Sequence, residues 1–335
     1  RRSLVSRLPE RVEEAGEAPH AGLEKTLAEI WRRVLGRSDI RRGDDFFSLG
    51  GHSLLAMRVV TTVTAETGHR ATVRDIFEYP TIEKLALHLA AANQNDEEKG
   101  ASGILPLVSG HGLPTFLIHP GGGGVGAYRR LAGLLDEGPV YGVFAGGLEF
   151  GTKPLTSITE MADAYVEQIR QECPVGPIRL GGWSFGGVVA VEVARRLGSA
   201  RVVQLVLIDP SQVADTPRPA PTQEALDIAF EKNVAGLAKL ALGHVEEDAE
   251  AIARARDVFI TNVTALVAHC PEAYSGPVTI LFGEDSPAIS ASSVWQKLLP
   301  NGFIRVLPGD HYTLLTGEAL VGVANSFARS STAAE

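Results

Sequence analysis

The sequence has no apolar run that approaches the length of a membrane-spanning helix, and it has only two cysteines. The first absence argues against a transmembrane segment. Cys173 and Cys270 are too few for a disulfide framework, so we expect a reducing, cytoplasmic setting. Basic residues are also in the minority, since 31 Lys and Arg against 40 Asp and Glu give a net charge of −9. Neither a nucleic-acid partner, which needs a basic face, nor a membrane partner is expected.

Histidines and carboxylates nowhere show the spacing of a metal site, so the sequence predicts no metal centre. With 335 residues, 44% hydrophobic and 21% charged, the chain has an ordinary globular composition and room for two domains. Both methionines are internal and the chain begins at Arg1. We therefore expect it to be a segment of a longer protein.

The first ninety residues show helical periodicity only. Residues 1–20 are charged and aperiodic, which indicates a linker. Apolar spacing predicts four helices, over residues 23–35, from residue 54 onward, over 72–77 and over 81–92. We predict a small all-α four-helix bundle over residues 21–92, followed by a polar, flexible linker over 93–103.

Ser53 stands at the end of a loop, directly before the second predicted helix. One interpretation is an N-cap, because serine is favoured ahead of an apolar helix. The other is a phosphate attachment point, because a helix N-terminus favours an anion. Residue chemistry alone leaves both open.

Beyond residue 103, short apolar runs alternate with helical patterns. Six strands are predicted, over residues 115–119, 140–144, 178–182, 202–208, 278–282 and 303–307, with a helix over 158–171. Such alternation predicts a mostly parallel sheet with helices on both faces. A proline-rich insert with two helical stretches, about 223–242 and 249–269, interrupts the pattern before the fifth strand.

The most informative stretch of this region is Gly182-Trp-Ser-Phe-Gly186, a G-x-S-x-G between a predicted strand and a predicted helix. That context is typical of a nucleophile elbow, in which the serine occupies a strained turn and its hydroxyl projects above the sheet. The following helix directs free N–H groups at any oxyanion formed there. We predict Ser184 as the nucleophile and the backbone N–H of Phe185 as an oxyanion donor.

A glycine-rich loop follows the first predicted strand and has two interpretations. Gly121, Gly123 and Gly126 satisfy G-x-G-x-x-G, and Glu149 lies at a tolerable distance for a ribose contact in a dinucleotide site. His119-Pro120 stands between the apolar run of the strand and these glycines, however, and Glu149 lies well past the next strand. We favour an oxyanion loop, with the backbone N–H of Gly121 or Gly122 contacting the substrate.

The nucleophile needs a base and the base needs an acid. His311 follows the last predicted strand and therefore lies at the same sheet edge as Ser184, whereas His119 is expected to be structural. Asp209 and Asp285 both follow strands and both preserve the chain order Ser, Asp, His. Strand position alone leaves the choice of acid open.

Two stretches resemble known families. Asp44-Asp-Phe-Phe-Ser-Leu-Gly-Gly-His-Ser-Leu54 closely resembles the attachment motif of peptidyl carrier domains of nonribosomal peptide synthetases, with similarity over about residues 22–92. It implies a covalent 4′-phosphopantetheine on Ser53, added by a phosphopantetheinyl transferase. Residues 104–330 resemble the terminal thioesterases of nonribosomal peptide and polyketide synthetases, which are α/β-hydrolases. That resemblance favours Asp209 as the acid and implies a helical lid over residues 211–272.

Together these observations predict a carrier–thioesterase didomain of secondary metabolism, with condensation and adenylation domains upstream in cis. A peptidyl thioester would pass to Ser184 and leave by hydrolysis or macrocyclisation. Two alternatives stay open: a serine esterase acting on free esters with a helical module that is not a carrier, and a non-catalytic docking protein with a hydrolase fold.

Overall fold

The computed structural model describes residues 16–51, 53–91, 103–135, 137–148, 152–240 and 249–328. The predicted linkers at residues 1–20 and 93–103 fall largely outside these ranges. Glu149, the ribose contact in the dinucleotide interpretation, falls outside them too.

The N-terminal region is a bundle of four helices, as predicted. They are α1 (Leu23–Leu35), α2 (Ser53–Thr67), α3 (Val73–Glu78) and α4 (Ile82–Ala91). Gly36 ends α1 in the left-handed region, at φ 64°, which a glycine adopts without strain. The helices enclose one apolar core, in which Trp31 packs against Phe46 with ring centroids 4.9 Å apart.

The C-terminal region is built on one seven-stranded sheet. Its strands are β1 (Ile104–Val108), β2 (Thr115–Ile118), β3 (Val140–Val143), β4 (Ile178–Trp183), β5 (Val202–Ile208), β6 (Val278–Gly283) and β7 (Gly302–Leu307). The order is β1-β3-β2-β4-β5-β6-β7, and every pairing is parallel except that of β1 with β3. The six predicted strands are confirmed, and β1 is an edge strand that the sequence did not predict.

Helices cover both faces of this sheet, so its central strands are apolar on both sides. They are α5 (Arg129–Ala132), α6 (Ile158–Glu172), α7 (Phe185–Leu197), α10 (Ser292–Leu298) and α11 (Gly317–Asn325). Alternate residues of a strand enter separate cores: Phe116 and Ile118 pack on the face of α6 and α7, whereas Leu117 packs on the face of α5 and α11.

Two helices, α8 (Gln223–Leu240) and α9 (Ala249–Ala268), lie between β5 and β6 and confirm the predicted helical insert. Residues 241–248 lie outside the described ranges. A β-carbon built on Gly122 would lie 3.2 Å from Asn233 Nδ2 and 3.7 Å from Leu237 Cδ1 of α8. A β-carbon on Gly123 would lie 2.7 Å from Val258 Cγ1 of α9. Both helices therefore lie against the glycine-rich loop after β2.

Candidate active site

The carboxyl ends of five parallel strands meet at one edge of the sheet, as the pairings of β2, β4, β5, β6 and β7 require. The loops that leave these ends carry, in chain order, Gly121, Ser184, Asp209, Ser286 and His311. In an open parallel sheet this is the edge at which binding and catalytic groups collect.

Ser184 occupies a strained turn between β4 and α7. Its φ of 58° and ψ of −123° lie in a region that non-glycine residues seldom adopt. The flanking glycines make the turn possible: a side chain on Gly182 would overlap the Gly186 carbonyl, and one on Gly186 would overlap the Ile118 carbonyl. The geometry is that of a nucleophile elbow.

Tyr128, which the sequence did not single out, fastens the elbow to the neighbouring strand. Its buried hydroxyl donates to the Ile118 carbonyl at 2.6 Å and accepts from the Trp183 N–H at 2.8 Å. Burial raises the pKa of this hydroxyl well above its ordinary value, so it keeps the proton that it donates. The ends of β2 and β4 are thereby tied together one residue before Ser184.

Asp209 and His311 form a hydrogen-bonded pair. His311 Nδ1 donates to Asp209 Oδ2 at 2.6 Å, and Asp209 is fully buried. The carboxylate also accepts from Ser286 Oγ at 2.5 Å and from the Gly283 N–H at 3.1 Å. Because Nδ1 holds the proton, Nε2 is left as the unprotonated nitrogen of the neutral ring.

Asp285, the alternative acid, does not reach the imidazole. It is exposed, and its backbone N–H donates to the Gly309 carbonyl at 3.1 Å. The next residue, Ser286, is the one that turns inward and contacts Asp209. The structure thus brings Asp209 and His311 together and leaves Asp285 at the surface.

Trp183 holds the other side of His311. Its indole Nε1 donates to the His311 carbonyl at 3.0 Å, and the two ring centroids are 5.0 Å apart. Ser184 Oγ makes its hydrogen bond within the described residues to Ser211 Oγ, at 3.4 Å, and none there to His311. Ser211, two residues after Asp209, was not predicted from the sequence.

The predicted oxyanion donors lie together beside the elbow. A β-carbon built on Gly121 would be 3.9 Å from Phe185 Cβ, so the loop and the start of α7 are in contact. Within the described residues, no hydrogen bond uses the backbone N–H of Phe185, Gly121 or Gly122. Three donors are therefore available at this point of the sheet edge.

Two buried side chains hold the carbonyls of the same loop. His119 Nδ1 donates to the Pro120 carbonyl at 2.9 Å while its Nε2 accepts from Tyr165 at 2.6 Å, and Asn262 Nδ2 of α9 donates to the Gly121 carbonyl at 2.9 Å. The C=O and N–H of one peptide unit point in opposite directions. His119 therefore orients the peptide that carries the Gly121 N–H, and Asn262 orients the peptide that carries the Gly122 N–H.

The environment of His119 fits the structural role expected of it. Complete burial lowers its pKa to about 4, so the ring is neutral at physiological pH. A carbonyl oxygen can only accept, so the proton must reside on Nδ1.

Ser53 is the first residue of α2, where the N–H groups of a helix have no helical acceptor. The first turn of α2 contains no acidic residue that would compete for these groups. A phosphodiester on Ser53 therefore fits the local charge, because the positive end of a 15-residue helix favours an anion.

The described residues contain no cluster of three or more His, Cys, Asp or Glu side chains that could hold a metal ion. Among the described helices, none has the length and apolarity needed to span a membrane.

Known proteins share sequence and fold with this chain. Malpibaldin synthetase of Mortierella alpina is 44% identical over 183 residues, which cover 54% of this chain and 3% of that protein. The chain thus spans a small part of its long relative. The NocB thioesterase domain, solved in covalent complex with a fluorophosphonate nocardicin G analog, is 29% identical with a TM-score of 0.53, covering 65% of this chain and 93% of that one.

The crystal structure of holo-AB3403, a four-domain nonribosomal peptide synthetase bound to AMP and glycine, covers 96% of this chain and 27% of that chain. Its TM-score is 0.64 at 24% identity, which shows a shared fold. Residues 25–89 match the phosphopantetheine attachment site family, and residues 114–330 match the thioesterase domain family. The predicted pairing of a carrier with a hydrolase-fold thioesterase is thereby confirmed. The chain belongs to the thioesterase domain family, whose members are acyl hydrolases, and carries a phosphopantetheine attachment domain ahead of its thioesterase domain.

Proposed function

We propose that this chain releases the product of a nonribosomal peptide synthetase, by moving an acyl group from its carrier domain to Ser184 and then off the enzyme. The observation that carries the proposal is the strained elbow at Ser184 on the same sheet edge as the Asp209–His311 pair. Each part alone occurs in inactive proteins. Their combination, beside three backbone N–H donors that no described residue uses, supports a serine acyl-transfer enzyme.

In the first step, Ser184 Oγ attacks the carbonyl carbon of a thioester. His311 Nε2 takes the hydroxyl proton, and Asp209 stabilises the imidazolium that forms. Catalytic hydrogen bonds are often long before substrate binds, so the present contact of Ser184 with Ser211 is compatible with this step. When bound to Ser53, the phosphopantetheine group supplies the thiol that holds the acyl chain as a thioester.

The developing oxyanion would lie between the Phe185 N–H and the N–H of Gly121 or Gly122. Each such donor stabilises the transition state by roughly 3–4 kcal/mol. Because His119 and Asn262 already hold the neighbouring carbonyls, the donors need little reorganisation as charge develops.

As the tetrahedral species collapses, His311 Nε2 gives its proton to the departing sulfur, and an ester is left on Ser184. In the second step, His311 removes a proton from water, or from an amine or hydroxyl of the acyl chain itself. Attack by water releases a free acid, and attack by an internal nucleophile releases a ring; in both cases the ester bond to Ser184 breaks and His311 returns its proton to Ser184 Oγ.

The relatives support the larger setting. NocB forms a covalent complex with a fluorophosphonate, and AB3403 is a four-domain nonribosomal peptide synthetase. We therefore infer that upstream synthetase domains precede this chain in cis, that a phosphopantetheinyl transferase loads Ser53, and that a tethered peptidyl chain is the substrate. Tethering gives a high effective concentration, which tolerates weak docking between the domains.

Loading tests the carrier part of the proposal. Incubation with a phosphopantetheinyl transferase and coenzyme A should add the mass of one phosphopantetheine group to the chain and none to the Ser53→Ala variant. No gain in the parent chain, or an equal gain in the variant, would favour the esterase alternative, in which the bundle is not a carrier.

Labelling tests the thioesterase part. A serine-directed fluorophosphonate should modify Ser184 and leave the Ser184→Ala variant unmodified. If the protein is folded by circular dichroism and is still not labelled, the non-catalytic docking alternative is favoured.

A further inference from the structure

The two phenylalanines of the attachment loop have different partners. Phe46 is fully buried and packs on Trp31 inside the bundle. Phe47 lies edge-on against Phe46, with ring centroids 5.2 Å apart, and also contacts Phe77 of α3, with ring centroids 4.4 Å apart. Asp45 holds this part of the loop in place, because its Oδ1 accepts from the N–H groups of Phe47 and Ser48 at 3.0 and 2.9 Å.

Arg129, at the start of α5 in the thioesterase domain, contacts this loop. Its Cζ lies 3.9 Å above the centroid of the Phe47 ring and 5.9 Å from that of Phe77. Its Nη2 lies 3.5 Å from Asp45 Oδ2, whereas the loop N–H groups of Phe47 and Ser48 donate to Oδ1. One guanidinium thus contacts both a ring and a carboxylate of the attachment motif.

Apolar contacts continue on both sides of Arg129. Phe77 is almost completely buried and belongs to the thioesterase core cluster on the face of α5 and α11. Val73 packs against Ala145, Leu148 and Val258, the last of these on the lid helix α9. Helix α2, which begins at Ser53, also packs against α9. The carrier therefore rests on the thioesterase with its attachment helix toward the lid.

The chemistry of the contact is specific to arginine. A planar guanidinium can stack on a ring while one edge donates to a carboxylate, whereas a lysine ammonium is a point charge that cannot do both equally well. Burial lowers the pKa of Arg129, and the Asp45 carboxylate opposes that shift. Arginine stays charged at any physiological pH.

We propose that Arg129 is the residue by which the thioesterase domain recognises its carrier, through Asp45 and Phe47 of the attachment loop. The proposal rests on the proposed function in one respect, namely that the docked arrangement is the one from which the acyl group is transferred. The segment Asp45-Phe46-Phe47 then has two roles. Phe46 packs inside the bundle, and Asp45 and Phe47 contact Arg129 of the thioesterase domain.

The test compares Arg129→Glu and Arg129→Lys with a matched control, Arg130→Glu, which makes the same charge change at the exposed neighbouring residue. Small-angle scattering of the unloaded chain measures docking without any reaction. Rapid quench after loading from hexanoyl-coenzyme A by a phosphopantetheinyl transferase measures acyl transfer. The rate of hydrolysis of hexanoyl-N-acetylcysteamine measures the activity of the Ser184 site without the carrier.

We expect Arg129→Glu to enlarge the maximum dimension of the chain and to slow transfer by about tenfold or more, from loss of the ring and carboxylate contacts. Hydrolysis of the free thioester should stay within about twofold, because no carrier is involved. Arg129→Lys should be intermediate and Arg130→Glu should match the parent chain.

Equal scattering and equal transfer in Arg129→Glu and the parent would overturn the proposal. So would an equal loss in Arg130→Glu, which would indicate net charge alone, or a parallel loss of free-thioester hydrolysis, which would indicate damage to the site. If the parent itself transfers no acyl group, the proposed function fails, and the scattering comparison still decides whether Arg129 holds the carrier.

Discussion

Replacing Asn262 with leucine would remove the donor that holds the Gly121 carbonyl while keeping a buried side chain of similar size. Asn262 is 1% exposed, and its Nδ2 bond to Gly121 joins the insert helix α9 to the glycine loop. Without it, the peptide that carries the Gly122 N–H loses its side-chain anchor. We expect the loop to sample orientations in which that donor misses the oxyanion.

The expected fall in kcat is smaller than the fall that complete loss of one oxyanion donor would cause. Complete loss of one oxyanion donor costs ~3–4 kcal/mol of transition-state stabilisation, or 10²–10³ in kcat. A loosened donor still points correctly part of the time, so we expect a fall in kcat of about 10- to 100-fold. Stability should change little, because Asn262 Oδ1 is buried and has no hydrogen-bond partner among the described residues. Leucine removes that unsatisfied acceptor while leaving the Gly121 carbonyl unpaired, and each such group costs ~1–3 kcal/mol.

Steady-state hydrolysis of hexanoyl-N-acetylcysteamine gives kcat and KM, and urea unfolding gives the free energy of unfolding. We expect KM to stay within about threefold, because a misplaced oxyanion donor is felt mainly in the transition state. The control is Asp257→Asn, an exposed position on the same helix, which should match the parent in all three quantities.

The reasoning is refuted if Asn262→Leu, folded to the same stability, keeps kcat within about threefold of the parent. A rise in KM at unchanged kcat would also refute it, since that pattern indicates a substrate contact rather than an oriented donor.

Three further outcomes are expected. Asp209→Asn should lower kcat by about 10⁴-fold, because the imidazole loses the partner that fixes its tautomer. Asp285→Asn should have a kcat near that of the parent. The reverse ranking in the thioester assay would assign the acid to Asp285. Ser286→Ala should lower kcat by about tenfold, since the Asp209 carboxylate loses a charge-assisted donor, and an unchanged kcat would assign Ser286 to packing alone. His119 has a pKa of about 4 when folded against 6.5 as its ordinary value, so its contribution to stability is present above pH 6.5 and is lost as pH falls toward 4, by up to about 3 kcal/mol. Urea unfolding of His119→Gln between pH 6.5 and 4.5 should show a shallower pH dependence than the parent, and identical slopes would contradict the assignment.

Local patterns were sufficient for the elbow and for most of the fold. The segment Gly182-Trp-Ser-Phe-Gly186 implies its own turn, because the glycines relieve overlaps within a few residues of the serine. The central strands are mostly apolar, as buried parallel strands are. The edge strand β1 escaped prediction because it contains Pro106 and pairs antiparallel with β3 through an irregular register.

Side chains that act across long separations could not be predicted. Asn262 lies on the insert helix α9, and its partner Gly121 is 141 residues earlier in the chain. No periodicity distinguishes it from a polar residue on the solvent face. The sequence did not indicate that Ser286, rather than Asp285, points inward, because both residues follow the same strand and only the backbone turn decides their orientation. The partner of Phe47 likewise depends on how two separate domains meet.

The central claim is that one acyl group passes from Ser53 to Ser184 within this chain. The most direct measurement is rapid quench of hexanoyl-loaded chain, followed by proteolysis and mass spectrometry of the two serine-containing peptides. In the parent, the hexanoyl mass should leave the Ser53 peptide and appear transiently on the Ser184 peptide, whereas in Ser184→Ala it should stay on Ser53. Loss from the Ser53 peptide at the same rate in both chains, with no acylated Ser184 peptide, would contradict the account.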